Sequence, residues 1–217
     1  MIVTLAVAAC GGSSGPSTNG VESKSPDGIV TAAMSAVRSA TSVHVAGNVP
    51  SSGSRITFDL NLVNGMGGQG SMTRNGLSFQ LVTVGNEVYI NGPIAFWQKL
   101  VGNAAAPLLW GKWIKAPATG QLATLATLTD LQKLFSQLLS SHGRLLKGSM
   151  TTVHGQPVIA VNDTTNGGTL YVATRGRPYP IEVVKNGSDS GQVAFDRFNQ
   201  PVTLKPPSEA IDVSQLQ

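Results

Sequence analysis

The stretch RITFDLNLV, residues 55–63, decides the fold because apolar and polar side chains alternate along it. The apolar residues occupy every second position: Ile56, Phe58, Leu60 and Leu62. Since successive side chains of a β-strand point to opposite faces, this period of two predicts a strand with one apolar and one polar face.

The same alternation recurs further along the chain, at Leu77, Phe79 and Leu81. Short turn signals separate the runs: Asn64-Gly65, Asn75-Gly76, Gly85-Asn86 and Asn91-Gly92. From residue 144 onward, five more runs are predicted as strands: LLKGSMTTV, PVIAVND, GTLYVAT, PIEVVKN and GQVAFDRF. Closely spaced runs of this kind indicate an antiparallel meander, and an open sheet of roughly ten strands is expected to curl.

Helical patterns precede and interrupt these strands. Ser25 is predicted to cap a helix that begins at Pro26 and carries an apolar stripe from Ile29 to Val37. Further helices are predicted over 93–101 and 129–139, the second with Thr129 and Gln132 as a capping box. This order predicts an α+β fold over residues 27–217, in which a single curved antiparallel sheet carries its helices on one face.

The first ten residues, MIVTLAVAAC, resemble the end of a bacterial lipoprotein signal peptide, because small side chains precede Cys10, the only cysteine. The apolar run is far shorter than the about 20 residues that span a bilayer, and the positively charged start of a signal peptide is missing. We therefore expect residues 1–9 to be a signal peptide remnant whose start lies upstream. Cys10 is predicted to be lipidated, anchoring the chain on the extracytoplasmic face of the cell membrane.

Residues 10–26 are rich in Gly, Ser and Pro, which predicts a flexible tether between the anchor and the folded domain. The alternative for Cys10, a buried free thiol, is disfavoured because these residues offer no core to enter. With one cysteine, the chain has no internal disulfide framework. The net charge is only +4 and charged residues make up 12% of the chain, without a basic run, so nucleic acid is not an expected partner.

Motifs that would carry catalysis are not convincing. The run from Gly65 to Gly70 fits G-x-G-x-x-G, but a strand and not a helix is predicted after it. The histidines lie far apart, and His44 is predicted to face solvent from a strand. The acidic residues are scattered, and we expect exposed or turn positions for them, including Asp59, Glu182 and Asp196. No enzymatic activity, metal or cofactor is therefore predicted.

A cluster of large apolar residues follows the first meander: Ile94, Phe96, Trp97, Leu100, Leu108, Leu109, Trp110 and Trp113. These residues fit either the rim of a cavity or ordinary core between helix and sheet. Periodicity alone favours the core.

Several segments together resemble the LppX/LprA/LprF/LprG lipoproteins of actinobacteria. They are the Cys10 segment with its tether, the helix ending in ATSVHV at residues 40–45, the run GLSFQLVTVGNEVYI at 76–90, and the step into a strand at Gly111-Lys112-Trp113. The resemblance implies a LolA-like half-barrel with helices on its concave face, enclosing an apolar pocket for acyl chains. It also implies that the protein carries or presents lipids in the cell envelope.

Under this interpretation the ligand is a lipid or acylated glycolipid, an envelope transporter is a possible partner, and the cavity-lining candidates are Ile56, Phe58, Leu60, Leu62, Leu77, Phe79, Leu81, Phe96, Leu100, Leu134 and Phe135. An apolar sheet face of this kind can solvate alkyl chains, at about 25 cal/mol per Å² buried. The alternative is a cell-surface interaction module with a solid core and no ligand. An envelope hydrolase is a third and weaker possibility.

Overall fold

The computed structural model describes residues 17–51, 53–187 and 189–213. Cys10, the predicted signal peptide remnant and most of the predicted tether lie outside these residues. Twelve strands are described: β1 (Ser42–Ser51), β2 (Ser54–Val63), β3 (Gly67–Arg74), β4 (Leu77–Val84), β5 (Glu87–Asn91), β6 (Trp113–Pro117), β7 (Leu145–Val153), β8 (Gln156–Asp163), β9 (Gly168–Ala173), β10 (Pro180–Lys185), β11 (Gly191–Asp196) and β12 (Ala210–Asp212). The α-helices are α1 (Pro26–Arg38), α2 (Ile94–Val101), α3 (Ala106–Leu109), α4 (Ala123–Thr129) and α5 (Leu131–Ser140).

All twelve strands belong to one sheet, in the order β12-β6-β5-β4-β3-β2-β1-β11-β10-β9-β8-β7. The chain runs outward from β1 to β6, crosses to the opposite edge, and returns through β7–β11 until β11 pairs with β1. Neighbouring strands are antiparallel except β12, which pairs in parallel with β6. The predicted α+β fold with a single curved, mainly antiparallel sheet is confirmed.

The helices cover one face of this sheet, which we call the inner face. The inner residues of β2 are those that the alternation predicts, with Phe58, Leu60 and Leu62 buried. Helices α1 and α5 pack against each other and bury their apolar stripes in the same cluster. Phe135 of α5 contacts Phe195 of β11, with ring centroids 4.6 Å apart. This contact joins the helix layer to the centre of the sheet.

The beginning of α1 confirms the prediction from its sequence. Ser25 precedes the helix, and its hydroxyl accepts a hydrogen bond from the backbone N–H of Gly28 at 3.2 Å. Pro26 occupies the first helical position, where no backbone donor is needed.

The beginning of α5 corrects the prediction, since Thr129 and Gln132 do not form a capping box. The cap is Asp130, whose carboxylate accepts a hydrogen bond from the N–H of Lys133 at 3.0 Å. Thr129 instead ends α4, a helix that the sequence did not predict. Its hydroxyl accepts a hydrogen bond from the buried Thr83 hydroxyl at 2.6 Å.

The packed part of the chain begins earlier than the predicted tether allows. Val21 lies in a 3₁₀ turn, Val21–Ser23, and is buried in the main core. The Asn19 side chain donates hydrogen bonds to the carbonyls of Ala173 and Gly176 at 3.0 and 3.1 Å. The prediction of a flexible tether is therefore wrong for residues 19–25, because one apolar and one amide side chain hold this segment on the domain.

The glycine-rich run from Gly65 to Gly70 forms the turn between β2 and β3 and the first half of β3, as its rejection as a dinucleotide motif predicts. Its glycines serve packing. A Cβ on Gly68 would lie 2.6 Å from Leu62 Cδ2 and 3.2 Å from Thr129 Cβ. Glycine at this position therefore lets the end of α4 approach the sheet.

Candidate functional site

A cavity of about 420 Å³ lies between the inner face of β2–β5 and the helices α2 and α4. Its volume lies within the range of about 300–1,000 Å³ typical of small-molecule sites. We call it the larger cavity. Its lining residues are Ile56, Met72, Arg74, Asn75, Leu77, Phe79, Ile90, Phe96, Lys99, Leu100, Leu122, Thr124, Leu125 and Leu128.

The larger cavity is apolar inside and basic at its rim. All of its apolar lining residues except Leu100 are buried or half-buried, whereas Arg74, Asn75, Lys99 and Thr124 are exposed. Among the residues that the structure describes, the lining contains two cationic side chains and no carboxylate. This arrangement can solvate an alkyl chain and leave a polar group near the two cations.

Aromatic rings build one wall of the larger cavity. The rings of Phe79 on β4 and Phe96 on α2 are stacked, with centroids 4.9 Å apart, and Phe96 meets Trp97 edge-on at 5.0 Å. A Cβ on Gly92 would lie 2.6 Å from Cδ1 of Phe96. Glycine at this position therefore makes room for the Phe96 ring over the end of β5.

The roof of the larger cavity is held by a small buried polar cluster at the end of α4. The Thr83 hydroxyl accepts a hydrogen bond from the N–H of Gly68 at 3.0 Å and donates to the Thr129 hydroxyl at 2.6 Å. Thr129 in turn lies 3.0 Å from the carbonyl of Leu125. Buried hydroxyls with satisfied hydrogen bonds give a defined position, so Leu125 and Leu128 are fixed above the sheet.

The predicted cavity residues divide into two groups. Five line the larger cavity: Ile56, Leu77, Phe79, Phe96 and Leu100. The other six lie in the packed core instead: Phe58, Leu60, Leu62, Leu81, Leu134 and Phe135. A role in lipid binding stays a prediction for both groups.

The sequence missed the residues of the roof. Leu122, Leu125 and Leu128 line the larger cavity but were not candidates, and Met72 and Ile90 complete its floor. The spacing of three residues between these leucines was the available signal, since it places them on one face of a helical segment.

A smaller cavity of about 280 Å³ lies in the other half of the sheet, under α1 and the end of α5. Its lining includes Val49 of β1, Leu138 and Leu139 of α5, and Leu170 of β9. Val49 is directly opposite Ile56 in the pairing of β1 with β2. Because Ile56 lines the larger cavity, this residue pair stands between the two cavities.

Asp163 lines the smaller cavity and fixes the loop that follows α5. Its carboxylate accepts hydrogen bonds from the backbone N–H groups of Gly143, Thr165 and Asn166 and from the Asn166 side chain, at 2.9–3.0 Å. Partial burial by itself would raise the pKa of Asp163, but these hydrogen bonds outweigh it and lower the pKa to about 2.

The cluster of large apolar residues after the first meander was predicted to be either cavity rim or core. In the structure, its residues lie in the core, at the rim of the larger cavity and on the exposed surface. Trp97 is buried in the core, and Leu100 lies at the rim of the larger cavity. Leu108 and Trp110 belong to neither, since they are 67% and 61% exposed.

His44 lies on the outer face of the sheet, as the alternation predicts, but it is buried, so the prediction that it faces solvent is wrong. Its Nδ1 lies 2.6 Å from Asp196 Oδ1 and its Nε2 lies 3.0 Å from Asp59 Oδ1. The two carboxylates come from the strands on either side, β11 and β2, and cover the ring. Sequence spacing could not show this contact because 152 residues separate His44 from Asp196.

Glu182 is an acidic residue whose position differs from the prediction, since it is buried on β10. His154 Nε2 lies 2.9 Å from its carboxylate, and the Gln192 side chain donates to the same oxygen. The His44 and Glu182 clusters are contacts between a histidine ring and carboxylates that other strands carry. Among the described residues, no group of three or more His, Cys, Asp or Glu side chains is arranged to hold a metal ion.

Within the described part of the chain, no helix has the length and apolar character needed to cross a membrane.

The fold is similar to two mycobacterial proteins of known structure. The lipoprotein LppX of Mycobacterium tuberculosis is 19% identical, with a TM-score of 0.56 over 82% of this chain and 96% of LppX. LprF of Mycobacterium bovis is 14% identical, with a TM-score of 0.57 over 89% of this chain and 99% of LprF. No protein-family model and no curated protein matches the sequence. The chain therefore has an LppX/LprF-like fold, as the sequence resemblance predicts.

Proposed function

We propose that this protein is a lipid-binding lipoprotein that is anchored to the extracytoplasmic face of the cell membrane through Cys10. It holds acyl chains of a lipid or acylated glycolipid in the larger cavity, and carries or presents them in the cell envelope. The single observation that carries the proposal is the 420 Å³ apolar cavity between the sheet and the helices α2 and α4.

The chemistry of the lining supports an acyl chain as the ligand. Transfer of an alkyl chain from water to an apolar cavity is favourable by about 0.8 kcal/mol for each methylene group. Arg74 and Lys99 at the rim supply hydrogen-bond donors for a polar headgroup, whereas the apolar interior offers none of comparable strength. Such a cavity selects by chain length and volume more than by headgroup.

We include in the proposal that the protein has no enzymatic activity. Both ring nitrogens of His44 contact carboxylates, which leaves neither of them free to contact a substrate. His154 is paired with Glu182 through the nitrogen that it turns toward the sheet. A binding function needs neither of these side chains.

Lipid uptake by the full chain carrying Cys10→Ala tests the proposal, because this variant lacks the anchor. The protein is incubated with a fluorescent long-chain fatty acid, and native mass spectrometry counts the bound molecules. We expect saturable uptake. A protein that carries no lipid after purification and takes up none would contradict the proposal.

Two matched substitutions locate the binding site. Leu125→Trp fills the larger cavity from α4, and Leu138→Trp fills the smaller cavity from α5. We expect Leu125→Trp to reduce uptake at least fivefold and Leu138→Trp to leave it within twofold, with circular dichroism showing that both variants fold. The opposite pattern would assign the lipid to the smaller cavity and overturn the proposed site.

A further inference from the structure

Large apolar side chains are exposed together on α2, on α3 and at the residue after α3. They are Leu100, Val101, Leu108 and Trp110, which we call the exposed apolar patch. Single exposed apolar residues are normal on protein surfaces, but a group of them marks an interaction site. Four of the seven large apolar residues that are exposed among the described residues fall within this segment of eleven residues.

The patch stands on a defined support. Helices α2 and α3 pack against each other, and the N–H of Ala106 donates a hydrogen bond to the carbonyl of Gly102 at 3.2 Å. Ala106 is fully buried beneath α3. Because Ala106 packs α3 against the domain, Leu108 and Trp110 lie on its exposed side.

The chain segment that carries the patch has charge of one sign. The segment 88–129 contains three lysines and no acidic residue. Lys115 is paired with Glu87 and Asp212, whereas Lys99 and Lys112 are exposed and form no ion pair with any described residue. An apolar segment with two unpaired ammonium groups and no carboxylate of its own complements the surface of a membrane that contains anionic lipids.

The patch is continuous with the mouth of the larger cavity. Leu100 belongs to the patch and also lines the cavity, and Lys99 is part of the cavity rim. Tryptophan is favoured at the interface between headgroups and acyl chains, where its ring is buried and its N–H stays hydrated. A surface that rests on a bilayer with Trp110 and Leu108 inserted would therefore bring the cavity mouth to the acyl chains.

We propose that the exposed apolar patch, with Lys99 and Lys112, docks the domain on the surface of an anionic lipid bilayer and places the mouth of the larger cavity against it. The docking surface acts in addition to the predicted Cys10 anchor. An anchor holds the chain near the membrane, whereas the patch sets the orientation of the domain. This inference goes beyond the proposed function and stands whether or not the cavity holds a lipid.

Vesicle flotation of the full chain carrying Cys10→Ala tests the docking surface without the anchor. Phosphatidylcholine vesicles that contain about 30 mol% phosphatidylglycerol supply the anionic surface. We expect the protein to float with these vesicles, and to bind pure phosphatidylcholine vesicles at least threefold more weakly. Absence of binding to the anionic vesicles would overturn the inference and favour a protein as the occupant of the patch.

Paired variants separate the patch from general stickiness. Leu108→Ser with Trp110→Ser should reduce vesicle binding at least tenfold. Leu146→Ser with Met150→Ser removes two other exposed apolar residues, on β7, and should leave binding within twofold. Equal losses in both pairs would overturn the inference, because binding would then not depend on the patch.

A third variant and a second readout complete the test. Lys99→Gln with Lys112→Gln should reduce binding to anionic vesicles about fivefold and weaken its dependence on salt. Uptake of the soluble fatty acid by the Leu108/Trp110 variant distinguishes the two proposals. If this variant takes up the fatty acid but no longer binds vesicles, the result supports both a cavity ligand and a separate docking surface. If the parent protein binds vesicles but takes up no fatty acid, the result supports docking and contradicts the proposed function.

Discussion

The two helical regions of this protein use apolar side chains in opposite ways. Helices α1 and α5 bury their apolar stripes against the sheet, and Leu134 of α5 is only 6% exposed. Helices α2 and α3 bury Trp97 and Ala106 but expose Leu100, Val101 and Leu108. Composition would predict the opposite, since nine of the twelve residues of α2 and α3 are apolar, against twelve of the twenty-three residues of α1 and α5.

The difference shows that one helical region maintains the fold and the other presents a surface. Burial of α1 and α5 joins the two halves of the sheet through contacts such as that of Phe135 with Phe195. Helix α2 instead spans the larger cavity, and its exposed residues lie beside the mouth of that cavity. The stability of the domain should therefore depend on α5 much more than on α3.

Substitution of a leucine by alanine should change the free energy of unfolding very differently in the two regions, and this is the largest effect that we expect. Leu134→Ala removes buried side-chain atoms and leaves a cavity, so we expect it to reduce the free energy of unfolding by about 2–5 kcal/mol. Leu108→Ala removes an exposed side chain and should change it by less than about 0.5 kcal/mol. Urea unfolding followed by circular dichroism measures both. Similar losses in the two variants would contradict the conclusion that α5 maintains the fold and α3 presents a surface.

The loop after α5 should make the stability of the domain depend on pH in the acidic range. The Asp163 pKa is about 2 in the folded protein and 3.8 ordinarily, so the ionised form stabilises the fold. This contribution is complete above pH 4 to 5 and is lost as the pH falls through about 2. Asp163→Asn should reduce the free energy of unfolding at pH 7 by about 1.5 kcal/mol, since hydrogen bonds to a charged group are lost.

The pH profile supplies the decisive readout for Asp163. Between pH 5 and pH 2, the variant should lose less stability than the parent protein, because the charge that protonation removes is already absent. Asp189→Asn is the matched control, an exposed carboxylate that lines the same smaller cavity. If Asp189→Asn changed the acid profile as much as Asp163→Asn, the assigned hydrogen bonds would not be the cause.

The caps of the two regions should give the smallest effect. Helix α5 begins with Asp130, whose side chain accepts a hydrogen bond from Lys133, whereas α2 begins after Pro93 without a side-chain cap. Asp130→Ala should reduce the free energy of unfolding by about 1 kcal/mol. Asp130→Ser retains a capping oxygen and should restore most of that loss. A Ser variant as unstable as the Ala variant would mean that Asp130 acts through another contact.

The sequence predicted the elements whose pattern is local. Alternation from Ile56 to Leu62 identifies β2 and its inner face, and Ser25 with Pro26 marks the beginning of α1. Predictions failed where a distant segment decides the outcome. Val21 is buried because α1 and the sheet cover it, and Thr129 ends a helix because its hydroxyl meets Thr83, 46 residues away.

By itself, the sequence determined an α+β fold with one apolar face on a curved sheet, because side-chain direction in a strand follows from the period of two. Only the tertiary structure decided where that face is filled and where it is open. Packing depends on the volumes of residues brought together from distant segments. Phe135 fills the centre of the sheet, whereas Leu125 and Leu128 lie above Ile56 and leave the larger cavity.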